Sequence, residues 1–100
     1  MEAVRHIQAF ISKAKVDNRI KPVHISVYMG LFQYWVLNEC TNPIEVSRRN
    51  IMQLGKVASI VTFHKVIKEL QSYGYIDYFP SYDPRTRTKV YLNISEGVKT

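Results

Sequence analysis

One hundred residues leave room for one hydrophobic core and not for two, because a chain this size buries about two-thirds of its surface on folding. Apolar residues at 46% and charged residues at 22% exclude wholesale disorder, and the net charge of +6 favours a polyanionic partner. Gly30, Gln33 and Asn38 interrupt the apolar stretches well short of the roughly 20 residues a membrane span needs, and the lone Cys40 excludes an internal disulfide framework or a multi-cysteine zinc site.

In chain order, residues 3–16 carry Val4, Ile7, Phe10, Ile11 and Ala14 at the spacing of one helix face. Asp17, Asn18 and Pro22 then punctuate the chain, so residues 1–20 read as a helix with its connector and as a candidate dimerisation element. Residues 24–38 give the strongest helical signal, a broad stripe of Ile25, Tyr28, Met29, Phe32, Trp35 and Val36, with Gly30 allowing a close helix approach. A loop over Asn38–Pro43, containing Cys40, leads to a short strand at 44–46. Ser47 then caps a short helix over 48–54, with Ile51 and Leu54 facing inward.

After a turn at Gly55–Ala58, Ser59 caps a longer helix over 60–73, which Gly74 stops. Its inward positions are Ile60, Phe63, Val66, Ile67, Leu70 and Tyr73. Two strand-like runs close the chain. In 75–79, Ile76 and Tyr78 share a face; in 89–94, Val90, Leu92 and Ile94 do so. A basic, turn-rich segment, 80–88, lies between them. The expected fold is α+β and mostly helical. Its parts are those of a winged helix-turn-helix (residues 44–73) with an additional N-terminal helix and a two-stranded C-terminal wing at 75–94, all in one domain.

The chemistry follows from rotation. At about 100° per residue, Val61, Lys65, Lys68 and Ser72 lie opposite the apolar face of the 60–73 helix, with Thr62 and His64 on its N-terminal flanks. Lysines reach phosphates or guanine edges, and Val61 suits a thymine methyl in a major groove. Ser59 sits at the start of the same helix. Arg85, Arg87 and Lys89 alternate along extended chain and so project to one side, where a basic tip can straddle a phosphate backbone or enter a minor groove. Arg48 and Arg49 stand in the first turn of the short helix as further phosphate contacts.

The run from Ser59 to Leu70, Ser-Ile-Val-Thr-Phe-His-Lys-Val-Ile-Lys-Glu-Leu, followed by Gly74-Tyr-Ile76, resembles the recognition helix and helix-to-wing junction of winged-helix transcription regulators. Over residues 22–94, His24-Ile-Ser, Leu31-Phe-Gln-Tyr-Trp35, Phe63-His-Lys, Lys68-Glu-Leu, Gly74-Tyr-Ile and Pro80-Ser-Tyr are similar to small bacterial winged helix-turn-helix proteins. Those are transcriptional regulators often associated with mobile elements. The resemblance implies that Thr62, His64 and Lys65 face DNA, at positions where regulators commonly carry Thr, Ser and Arg. His64 and Lys65 depart from the last two, which leaves base preference open.

Enzyme signatures are missing from the sequence. His6, His24 and His64 fall in separate elements without metal-ligand spacing, and there is no glycine-rich phosphate loop, nucleophile elbow or carboxylate pair. Asp77 and Asp83 read as a strand surface and a turn. The expectation is a cytoplasmic, homodimeric protein that binds double-stranded DNA to regulate transcription. It needs no cofactor, metal or small-molecule substrate. Two other tasks fit the same residues: replication or excision accessory work on a mobile element, and a protein-interaction module for which the basic face is not required.

Overall fold

Pro22 opens the central helix, where a fixed φ suits the first turn and the missing N–H is no loss. Two residues on, the His24 side chain turns back so that its Nδ1 accepts the Lys21 N–H at 2.9 Å. The computed structural model, which describes residues 2–81 and 87–93, places this helix as α2 (Pro22–Leu37) between α1 (Glu2–Lys15) and the pair α3 (Arg48–Leu54) and α4 (Ile60–Ser72). Strands β1 (Ile44–Val46), β2 (Ile76–Phe79) and β3 (Thr88–Leu92) complete an α+β, mostly helical chain. Among the described residues no helix is long and apolar enough to cross a membrane.

Among the described residues the sheet has three strands, the two expected of the wing and the short 44–46 strand. β3 lies in the middle, antiparallel to both neighbours, in the order β1-β3-β2. The pairs Ile44↔Val90 and Ile76↔Leu92 set the apolar side chains of all three strands on one face. The Asn42 side chain extends this pairing as a backbone would, donating to the Leu92 carbonyl at 2.9 Å and accepting its N–H at 3.0 Å. Three residues are too few to assign β1 a partner from pattern alone, which is why the expected wing lacked it.

Helix existence agrees with the periodicity, but several faces do not. On α1 the buried residues are His6, Ala9 and Phe10, whereas Val4 and Ile11 are exposed. His6 lies in an aromatic slot, with ring centroids 4.4 Å from Trp35 and 5.5 Å from Phe32, and Phe10 stacks on Tyr28 at 4.0 Å. Planar rings on α2 select flat partners, so an imidazole takes the place expected of an aliphatic. On α2 itself the core takes His24, Val27, Leu31 and Trp35 together with Tyr28, leaving Ile25, Met29 and Val36 on the rim. Leu54 and Ile60, expected inside, are half open to solvent at the ends of their helices.

Gly30 and Gly55 explain how close α2 comes to the chain between α3 and α4. A Cβ at Gly55 would lie 3.1 Å from the Val27 Cα and 3.2 Å from the Ile51 carbonyl oxygen, both backbone atoms. A Cβ at Gly30 would meet the Leu54 Cβ at 3.2 Å. Gly74 is needed for a different reason: its φ of +89° ends α4 in the left-handed conformation, and the Tyr75 N–H then returns to the Leu70 carbonyl at 2.9 Å.

Gly55→Ala is expected to cost about 1–3 kcal/mol, because rigid backbone must move to admit the methyl. Gly30→Ala should cost less, since about 1 kcal/mol of helix propensity offsets its crowding. Urea denaturation of the two variants checks the order. Burial also lowers the pKa of His6 below its ordinary value, and its Nδ1 has no partner to accept from a charged ring. The unfolded chain therefore binds a proton that the folded chain refuses, so stability is full above about pH 6.5 and declines as pH falls below it. His6→Phe should flatten that part of the profile of thermal midpoint against pH.

Candidate nucleic-acid interface

The sequence from Arg48 to Ser72 holds five Lys or Arg and one acid, Glu69. Two capped helices present it. The Ser47 hydroxyl accepts the Asn50 N–H at 3.1 Å to start α3, and the Ser59 hydroxyl accepts the Thr62 N–H at 3.2 Å to start α4. Between them the Val57 N–H reaches back to the Met52 carbonyl at 2.9 Å, with Lys56 in the left-handed region at φ 59° and Val57 buried. The Ser26 hydroxyl of α2 donates to the Gly55 carbonyl, which ties the turn to the central helix.

The rotation of α4 about its own axis is set from two sides. Phe63, Val66, Ile67 and Leu70 are buried in the core. On the edge beside them, Glu69 meets buried His24: the Nε2 to Oε1 distance is 2.7 Å. Because Nδ1 already accepts a backbone proton, Nε2 carries the ring hydrogen and donates to the carboxylate. The single acid of the helix is therefore drawn toward α2. Val61, Thr62, His64, Lys65, Lys68 and Ser72 are all exposed, Val61 at 78%.

Two grooves flank this face. One, of about 550 Å³, runs between α4 and β2 and is lined by His64, Lys65, Ile67, Lys68, Gln71 and Tyr78. The other, of about 470 Å³, lies between α3 and the start of α4 and is lined by Arg48, Arg49, Met52, Gln53, Ala58 and Ile60. No carboxylate lines either groove among the described residues. Arg48 and Arg49 thus add two exposed cations beside the start of α4.

The remaining sequence candidates are placed differently. Arg87 is exposed and immediately precedes β3, next to Thr88, which pairs with Val46. Lys89 is exposed on the outer side of the sheet, paired across the strands with Glu45 and Phe79, and lines neither groove. Arg85 lies outside the described residues. Within β3, Lys89 lies on the outer side of the sheet, away from Val90 and Leu92.

Gln71 and Tyr78 escaped the sequence reading. Gln71 stands one turn beyond Lys68 but about 90° round from the centre of the outward face, beside His64, so the rotation passes it by. Its Oε1 accepts the Tyr78 N–H at 2.6 Å, joining α4 to β2. Tyr78 shares a face with Ile76, as expected, and at the strand's far end it is half-buried and forms the groove wall.

Among the described residues no group of His, Cys, Asp and Glu is arranged to hold a metal ion. Comparison with known proteins finds no matching family model, no matching curated protein and no matching solved structure. Removing the α4 cap by Ser59→Ala is expected to cost about 1 kcal/mol and to fray the turn bearing Val61 and Thr62. Urea denaturation measures the first effect, and amide exchange at Thr62 the second.

Proposed function

We propose that this chain is a winged helix-turn-helix protein that binds double-stranded DNA and regulates transcription by occupying its site. The observation that carries the reading is the segregation of charge on α4. Lys65 and Lys68 are exposed on the outward side, while Glu69 is held against α2 by His24. In this reading α4 enters the major groove. Lys65, His64 and Thr62 meet base edges or phosphates, and Val61 meets a thymine methyl. Arg48 and Arg49 grip the flanking backbone, and Arg87 extends that contact from the start of β3.

The element order α2, β1, α3, α4, β2, β3 is compatible with a winged helix, with the antiparallel β2–β3 pair as the wing. His64 and Lys65 then contribute to a base preference of the chain's own.

Fluorescence anisotropy on random duplex DNA, titrated across salt concentrations, tests the proposal. The wild type should bind with strong salt dependence. Lys65→Ala with Lys68→Ala should weaken binding. Arg48→Ala with Arg49→Ala should lower affinity on all sequences and make the slope of log K against log salt shallower by about one unit per lost phosphate contact. Absence of binding by the folded wild type at low salt would overturn the reading.

A further inference from the structure

We propose that the outer face of the α1–α2 hairpin docks a second copy of this chain, with two such hairpins closing into a four-helix bundle. The inference stands apart from DNA binding and uses none of the residues assigned to it. It begins with composition. The 16 residues of α2 include no Asp, Glu, Lys or Arg. A helix without charge around its whole circumference is one whose circumference is covered. The described chain covers only part of it.

Val27, Leu31 and Trp35 are buried, and α1 covers the side bearing Tyr28. Beyond that edge Ile25, Met29 and Val36 stay 37%, 37% and 36% exposed, with half-buried Phe32 among them. On α1, Val4 and Ile11 are 43% and 49% exposed, with half-buried Ile7 and Ala14 between and beyond them. The two rows belong to one surface. His6 meets Phe32 and Trp35 while Phe10 meets Tyr28, so the helices run antiparallel. From that shared edge, both rows lie about 80–100° further round in the direction of rising residue number. In antiparallel neighbours that turn leads to the same side.

The spacing identifies the occupant. Val4, Ile7, Ile11 and Ala14 follow one another at intervals of three and four residues, and so do Ile25, Met29, Phe32 and Val36. This is the a/d pattern of a bundle seam, and such a seam is filled by helices carrying the same pattern. The chain presents two. Charge points the same way: copies that each carry +6 repel wherever their cations face, and α2 offers a face without any. Lys15 borders the surface only at the last turn of α1. The inward side of α4 packs on the core beneath α2, so its outward side remains open in both copies.

Light scattering on the full chain after size exclusion, at about 50 µM and below, reads the result directly; most specific interfaces persist in that range. The wild type should run at about twice 11.7 kDa. Ile11→Glu and Met29→Glu, both at exposed positions, should each weaken self-association by about tenfold or more, because a carboxylate is desolvated in the seam. Circular dichroism should show both variants folded. Phe79→Glu, 56% exposed on the outer side of the sheet, should leave the dimer intact. A monomeric wild type would overturn the proposal. So would a dimer that survives Ile11→Glu and Met29→Glu, or one lost with Phe79→Glu.

Discussion

A neutral imidazole sits where three elements of this protein meet. His24 is buried at the start of α2, accepts a proton from the chain entering that helix, and donates its other ring hydrogen to Glu69 on α4. A buried polar ring costs least when both nitrogens are bonded, as they are here, and each bond leads to a different element. The hydrogen-bonding demand of one side chain thereby fixes the entry of α2 and the rotation of α4. Rotation matters more for function than position does. Turning α4 by one residue's angle would bring Glu69 toward the solvent face and take Lys65 or Lys68 partly out of it.

The elbow between α3 and α4 meets the same requirement from the opposite side of α2. Gly30 and Gly55 let backbone approach backbone, and the Ser26 hydroxyl closes on the Gly55 carbonyl. The elbow of the α3–α4 unit and the far part of α4 are thus both referenced to one central helix. Cations far apart in sequence, Arg48 and Arg49 with Lys65 and Lys68, are thereby carried on helices packed against one frame. Side chains on a rigid frame lose less freedom when they meet a phosphate backbone, which keeps more of each contact as affinity.

The N-terminal helix is attached by different physics. Stacked rings hold its middle, and a polar cluster holds its end. Lys13 lies 4.2 Å from the centre of the Tyr75 ring and donates to the Gly74 carbonyl at 3.3 Å, while the Tyr75 hydroxyl donates to Asp17 at 2.9 Å. The Arg19 guanidinium beside Asp17 holds that carboxyl well below the usual carboxylate range, with the Tyr75 hydroxyl bond acting in the same direction. The connector between α1 and α2 is therefore bound to the junction where α4 passes into β2. That fastening leaves the aliphatic row of α1 facing outward rather than into its own core.

Much of this was legible one residue at a time. Ser47, Ser59 and Gly74 act through their immediate neighbours, capping with a hydroxyl or adopting a positive φ, so their sites could be read before any tertiary contact was known. The outward lysines of α4 were legible too, because an amphipathic helix has only one way to bury Phe63, Ile67 and Leu70. The helix faces of α1 and α2 were not. Periodicity ranks faces by apolar content, and α2 is apolar nearly all round, so its own sequence cannot say which side meets the core. Only the packed structure, by matching rings with rings around His6 and by pairing β1 with β3, determined which apolar side chains are inside. The sequence by itself therefore determined where each helix begins and ends to within one or two residues, and which side of α4 carries charge, since those depend on local bonds and on one unambiguous stripe. The tertiary structure alone decided which face each remaining helix buries and which distant cations are carried on one frame, because those depend on shapes that meet only once the chain has folded.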